Sequence, residues 1–504
     1  MRKKVNKKIK ILCIVLAAVV LVGAIVGVLL SLNSFGNSVK KASKNLTAYA
    51  IDATLNSDYT LDAVQTITYI NNTGTNLDTI CLHLYARAFR EDATIRPYTN
   101  LNQASCFPNG ISYGDIAISR VDVNENSANF EFVGEDADIL QINLFDTLNK
   151  KEKIKIDIDF KLTLPNCTHR FGYYNSTINL GNWYPIVCAF IDGKWNTTPY
   201  YSTGDPFVSE CANYSVNIAH PEDYNCYATG NKVAQHESKC EFSALAVRDF
   251  AVVLGNNFTE KSVNSGKTVV TYVGYANDSD MDANTQLSAD AIAYYSKTFG
   301  AYPYKNLTVV KSAFVHGGME YPNLVIVSDN ITEPEEFQKV IIHEIAHQWW
   351  YALVGNNQIT QAWLDESLAE YSTCLFYEDN PKYGVQYADQ IKDATASYLL
   401  YVDVISSLNG KVKTSMNLSV NQYTSEYEYT YMIYVKGVVM FDSLREVVGK
   451  EKLIKALKKY LKTYSFKLAS EQDFINIIKD VCHKDLDNFF EGWLGGTNVI
   501  GYVD

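Results

Sequence analysis

From Tyr49 to about Phe258 apolar and polar residues alternate in short runs. The clearest has Ile154, Ile156, Ile158, Phe160, Leu162 and Leu164 separated by polar positions before Pro165. A period of two buries one face of a strand, so residues 48–258 are expected to form a β-sandwich-like domain. After Ser288 the spacing becomes helical, and residues 259–504 are expected to form a mainly helical domain, giving an α+β chain. Within it Phe337, Val340, Ile341, Ile345 and Trp349 recur on one helical face. Thr332 to Glu335 reads as a capping box with Pro334 in the first turn, and Gly355 is the expected stop. Trp363 to Tyr371 reads as the start of a second helix, which the polar turn Gly355 to Gln358 lets pack back on the first.

The amino-terminal end has another pattern. Arg2, Lys3, Lys4, Lys7, Lys8 and Lys10 make residues 1–10 a basic tail, and the uncharged apolar run 11–32 is long enough to span a bilayer as a helix. The run exceeds the apolar core of a signal peptide, and no small-x-small cleavage site follows before Ser34. An uncleaved single-pass anchor is therefore expected, with a cleaved signal peptide as the alternative. The lipid bilayer becomes a partner through residues 11–32. The tail stays cytoplasmic, and a polar tether, residues 33–47, leads to an external body at the cell membrane. A basic amphipathic helix is expected over Glu451 to Lys467. Its apolar side, Leu453, Leu457, Tyr460 and Leu461, either packs into the domain or touches an anionic surface.

The candidate chemistry lies on the expected pair of helices. His343 and His347, four apart, share a helical face, and Glu366 follows His347 after eighteen residues. Two histidines and one carboxylate make a zinc site with an open fourth position, one Zn2+ per chain, and an open position is the mark of a catalytic site. Glu344, between the histidines, points beside the metal and suits a base that takes a proton from water. Glu370, one turn beyond Glu366, is either an outer partner that orients a ligand histidine or a solvated charge. Asp365 reads as a local cap or outer acceptor rather than a ligand.

These residues resemble a known family, the zinc aminopeptidases typified by aminopeptidase N and leukotriene hydrolase, which are gluzincin metallopeptidases. Four stretches carry the resemblance: Gly317-Gly318-Met319-Glu320-Tyr321, His343 to Trp349, Trp363 to Tyr371, and Tyr434-Val435-Lys436-Gly437. A weaker likeness runs through Asn182-Trp183-Tyr184-Pro185 and Gly204-Asp205-Pro206-Phe207. The resemblance implies a thermolysin-like catalytic domain and peptide substrates held at Gly317, Gly318, Met319 and Glu320, with Glu320 binding the free α-ammonium. It also implies Tyr434 as the residue that stabilises the oxyanion. With 36 tyrosines in the chain, tyrosine content alone selects nothing. Only the Tyr-x-Lys-Gly context favours Tyr434, and Tyr431 is the runner-up. Two departures stand out. Tyr321 replaces the family's usual asparagine, which bears on the first specificity pocket. No acid near Tyr174 to Thr177 offers the second ammonium contact common in the family. The strand expected over Asn323 to Val327 offers an edge that a peptide could join. The larger members' later domains are not matched, which implies a more open cleft.

Net charge is −12, and with +6 in the first ten residues the remainder carries −18, which argues against broad nucleic-acid binding. Of 10 cysteines, Cys13 lies in the apolar run, and Cys226 with Cys240 is the expected bridge. No protein partner is inferable. The expected activity is a membrane-anchored zinc aminopeptidase acting on extracellular peptides. The alternatives are an endopeptidase on the same zinc site, with Glu320 a bystander, and a non-catalytic peptide-binding module.

Overall fold

The structure, a computed structural model, describes residues 38–410 and 412–496. The basic tail, the apolar run 11–32 and the start of the tether lie outside the described residues. Among the described residues no helix is long and apolar enough to cross a membrane. The architecture is mixed α+β, with strands dominating up to Gly255 and helices after Met281.

The first part is organised by an eight-stranded sheet. Its strand Ala48–Leu55 pairs antiparallel with Thr60–Ile70 and parallel with Ala212–Ala219. Lys153–Thr163, the strand with the cleanest alternation, lies between Thr60–Ile70 and Asp115–Val123 and buries Ile154, Ile156, Ile158, Phe160 and Leu162 on one face. Each such side chain removed from water contributes roughly 1.5–3 kcal/mol, which makes the period-two pattern a strong determinant of register. Opposite them sit Ile80 and Leu82 from the four-stranded sheet containing Leu77–His83, and the two layers share one core. A second four-stranded sheet, containing Thr177–Leu180 and Val252–Gly255, adds Ile178, Leu180 and Leu254 to it.

Phe258 opens a different sheet. Its five strands run in the order Phe258–Ser265, Thr268–Tyr275, Asn306–Ser312, Leu324–Ser328 and Gly318–Met319, with the three middle strands parallel and both outer pairs antiparallel. Leu324–Ser328 is hydrogen-bonded on both sides, so the edge open to a peptide is the two-residue strand Gly318–Met319, not the strand expected over Asn323 to Val327. Helices Met281–Thr298 and Pro334–Ala346 pack on each other beside this sheet, and Glu366–Asp379 packs against Pro334–Ala346.

Three other expectations are settled by packing. The basic helix, Lys450–Tyr464, buries Leu453, Ala456, Leu457, Tyr460 and Leu461. Its apolar face is covered mainly by the helix Glu471–Cys482, so that face packs into the domain. The expected Cys226–Cys240 bridge is absent, since all nine described cysteines are free and buried. Within the tether, residues 38–43 are helical, and Val39 is buried.

Candidate active site

The helix carrying the histidine pair, Pro334–Ala346, starts where proline supplies a fixed φ and Glu335 and Glu336 meet the positive end of the helix dipole. The residue before it is Glu333, without a side-chain cap bond, so the capping box expected at Thr332 does not form. The helix also stops well before Gly355. Just past its end Gln348 is held by buried polar contacts. Its side-chain oxygen accepts from Asn323 N at 2.9 Å and its amide donates to Tyr321 O at 3.2 Å. Trp349 donates to Gly300 O at 2.8 Å, and these long-range bonds redirect the chain. Gly355 instead belongs to the short strand Val354–Gly355, paired with Lys467–Leu468. The second helix, Glu366–Asp379, begins with Asp365 as its cap, whose carboxylate accepts from Glu366 N at 3.0 Å.

His343 Nε2 and His347 Nε2 lie 3.1 Å apart, and Glu366 Oε2 lies 3.3 Å from the first and 3.2 Å from the second. The outer nitrogens are both occupied. His347 Nδ1 is 2.9 Å from Trp350 O, which can only accept, and His343 Nδ1 is 2.9 Å from Glu370 Oε2. With each Nδ1 donating, each ring in its neutral form turns a bare Nε2 lone pair toward a carboxylate oxygen, and, against the effect of burial, the acids around them raise both histidines above their ordinary value, which favours a positive charge at this spot. Three lone pairs meeting in a buried spot repel unless a cation sits among them. Ligand atoms about 2.0–2.1 Å from a tetrahedral zinc are themselves about 3.3 Å apart, which is close to the spacing found, so the residues fit the metal. Glu370 is thus the outer partner of His343, and Lys339 forms an ion pair with Glu370 in turn.

Glu344 is buried, and its Oε2 has no hydrogen-bond partner. A side chain at Gly318 would overlap the Glu344 carboxylate, so glycine there leaves that carboxylate its room. Burial pushes the Glu344 carboxyl up to about 8, against the pull of the neighbouring His343, which suits a group that takes and returns a proton near neutrality. Tyr434 stands in the π-helical turn Tyr431–Val435, with its ring stacked 5.9 Å from that of His343. Lys436 anchors this turn from behind, donating to Thr414 O and Trp493 O, each at 2.6 Å. Tyr431 stacks instead on Tyr401 at 4.5 Å and lies outside the cleft lining.

Glu320, Asp205 and Glu366 each place a carboxylate oxygen within 4.8 Å of the others. Asp205 is the residue the sequence reading missed. It comes from the β part and is fixed by an ion pair with buried Arg170. Its stretch, Gly204-Asp205-Pro206-Phe207, was legible only as a weak likeness, with nothing to mark the aspartate as functional. Gln358 donates to Glu320 Oε1 at 3.1 Å. Burial raises Asp205 to about 7, opposed by Arg170, and raises Glu320 to about 8 with help from the charge of Asp205. Carboxylates crowded in a dry site resist ionising together, so a cation arriving between them is strongly favoured.

The remaining expectations divide. Gly317 and Gly318 line the cleft of about 580 Å³ together with Glu320, Glu344, the zinc-ligand set and Tyr434. Met319, expected to touch substrate, is instead fully buried, with its sulfur 3.1 Å from Arg170 Nε, so it supports the arginine. Tyr321 likewise leaves the cleft: it is fully buried and donates to Asn182 Oδ1 at 3.0 Å. The residue in place of the usual asparagine therefore joins the two parts of the chain rather than lining the first pocket.

Residues 284–493 match the model of the peptidase family M1 domain. Over those residues the chain is similar to peptidase family M1 domains. The chain is similar to Aminopeptidase 2, mitochondrial, of Saccharomyces cerevisiae, 24% identical over 314 residues, covering 59% of this chain and 31% of that protein. It is also similar to Aminopeptidase B of Rattus norvegicus, 30% identical over 197 residues, covering 36% of this chain and 29% of that one. The chain thus spans about a third of the length of these curated relatives. In fold it is similar to an M1 zinc metallopeptidase from Deinococcus radiodurans. The TM-score is 0.64 at 15% identity, over 90% of this chain and 95% of that one, so the likeness includes the β part before the M1 domain.

Proposed function

We propose that this chain is a zinc aminopeptidase that removes amino-terminal residues from extracellular peptides while anchored in a membrane. One observation carries the reading: the carboxylates of Asp205 and Glu320 converge with Glu366 beside the histidine pair, so a cationic amino terminus and the ligand set share one end of the cleft. His343, His347 and Glu366 would hold zinc, which supplies polarisation of the scissile carbonyl and a more acidic water.

The chain's own groups then divide the work. Asp205 and Glu320 grip the α-ammonium, which brings the first peptide bond, and no later one, to the reacting position. Glu344 takes the proton from the attacking water and returns it to the departing amine. Tyr434 donates a hydrogen bond to the carbonyl oxygen as negative charge builds there. Arg170 pairs with Asp205 and favours its ionised form, and Gln358 orients one oxygen of Glu320.

The endopeptidase reading makes the acid cluster idle, and acetylated peptides separate the two. Blocking the amino terminus removes charge-assisted contacts, so kcat/KM for an acetylated peptide is expected to fall about 10–100-fold below that of its free counterpart. Equal cleavage of both would leave only the endopeptidase. The binding-module reading has less support, since the base, the ligand set and Tyr434 are all in place.

The membrane placement rests on the basic residues before the uncharged run 11–32. Protease added to intact cells is expected to release the catalytic part, and to leave it untouched if the orientation is reversed or the chain is internal.

A further inference from the structure

We propose that Cys226 and Cys240, with His220 beside them, form a redox site in the β part of the chain, a dithiol that a small external disulfide converts to an internal one. The three residues lie outside the cleft lining, so the site does not depend on the aminopeptidase reading.

Both thiols are free, yet the structure brings them together and adds a base that no local pattern marks. Cys226 stands in strand Asn225–Ala228 of the four-stranded sheet that contains Thr177–Leu180, and Cys240 in strand Lys239–Val247 of the eight-stranded sheet. Their side chains are hydrogen-bonded to each other in the core that the two sheets share. Cys240 Sγ is 3.5 Å from His220 Nε2, and His220 Nδ1 is 2.9 Å from Pro221 O. A carbonyl oxygen only accepts, so the imidazole carries its proton on Nδ1 and offers the Nε2 lone pair to Cys240.

The two sulfurs are not equivalent. The Cys226 thiol first, and His220 after it, hold the Cys240 thiol below its ordinary range against the effect of burial, whereas burial pushes the Cys226 thiol up. Lys232, 5.3 Å from the ring of Tyr227 and 5.9 Å from that of Phe242, adds a positive charge that favours the Cys240 thiolate. Cys240 is thus the attacking sulfur. Its thiolate attacks one sulfur of the external disulfide and expels the other half, which takes the proton that His220 removed from Cys240. Cys226 then gives its proton to His220 and attacks the Cys240 sulfur, and the second half leaves with that proton. Two electrons pass from the cysteines to the external disulfide, and two thiols are released.

Access comes from the sheet edge. A surface hollow of about 670 Å³ is lined by Glu222, Asn225 and Ser238, near neighbours in sequence of His220, Cys226 and Cys240. Strand Asn231–His236 is the outermost of the eight-stranded sheet, is mostly exposed, and shifts register between Lys232 and Ala234. Gln235 in it is a cross-strand partner of Cys240, so loosening this edge frees the segment that carries the attacking thiol.

The test incubates the full chain with oxidised glutathione or with dithiothreitol, then counts thiols after denaturation and maps links by mass spectrometry. Oxidised glutathione is expected to remove two of the 10 thiols, with the link between Cys226 and Cys240. The melting temperature should rise by about 5–10 °C, as for a bridge closing a loop of about 15 residues. Cys226→Ser should hold a glutathione adduct on Cys240, and His220→Asn should form the link about tenfold more slowly. Ten thiols remaining, both on the folded chain and on a chain refolded from the reduced state in the same buffer, would overturn the proposal. A link between other cysteines, an adduct on Cys226 of Cys240→Ser in place of one on Cys240, or an unchanged rate in His220→Asn would do so as well. The wild-type link and its position decide the matter if a variant fails to fold.

Discussion

Glu344→Gln is expected to lower kcat by about 10³–10⁴-fold while leaving zinc content and melting temperature near their original values. The magnitude follows from removing general base and general acid assistance together, each worth about 10²–10⁴-fold, with the second partly lost behind the first. Structure explains why metal should be retained: the three ligand atoms come from His343, His347 and Glu366, and Glu344 Oε2 bonds to none of them. Glutamine fills the same volume beside Gly318 but cannot accept the proton. Steady-state kinetics with metal analysis on the same preparation decides the matter. Activity within tenfold of the original, at equal zinc, would mean that the base is another residue.

Tyr434→Phe is expected to lower kcat by about 10²–10³-fold with little change in KM, because the lost hydrogen bond forms only as charge develops on the carbonyl oxygen. The hydroxyl is the only group deleted. The ring can keep its 5.9 Å stacking with His343, and the π-turn that presents it is held by Lys436 rather than by the hydroxyl. A rise in KM at unchanged kcat would reassign Tyr434 to ground-state binding.

Both predictions depend on a site assembled from distant parts of the chain, and the parts differed in how legible they were. The histidine pair and Glu344 lie within one helical turn, where backbone geometry alone sets their relation. Glu366 was legible because a short polar turn between two helices leaves few ways to pack. The helix end was not. Expectation ran it to Gly355, but it stops at Ala346, where contacts of Gln348 and Trp349 with Asn323, Tyr321 and Gly300 outweigh local propensity. The motif's Met319 sits in its expected place along the chain with its side chain facing the other way, because alternation in the edge strand sends neighbouring side chains to opposite faces.

By itself the sequence determined the strand-rich and helix-rich parts, the ligand set and the place of Glu344 between the two histidines, since each depends on periodicity or on spacing within one or two adjoining elements. Only the tertiary structure decided that Asp205 from the β part faces Glu320, that Glu370 rather than solvent holds His343, and that Tyr434 and not Tyr431 meets the cleft. The physical reason is separation: these side chains come together through long-range packing of sheet, turn and helix, and no local pattern encodes which distant polar groups will meet.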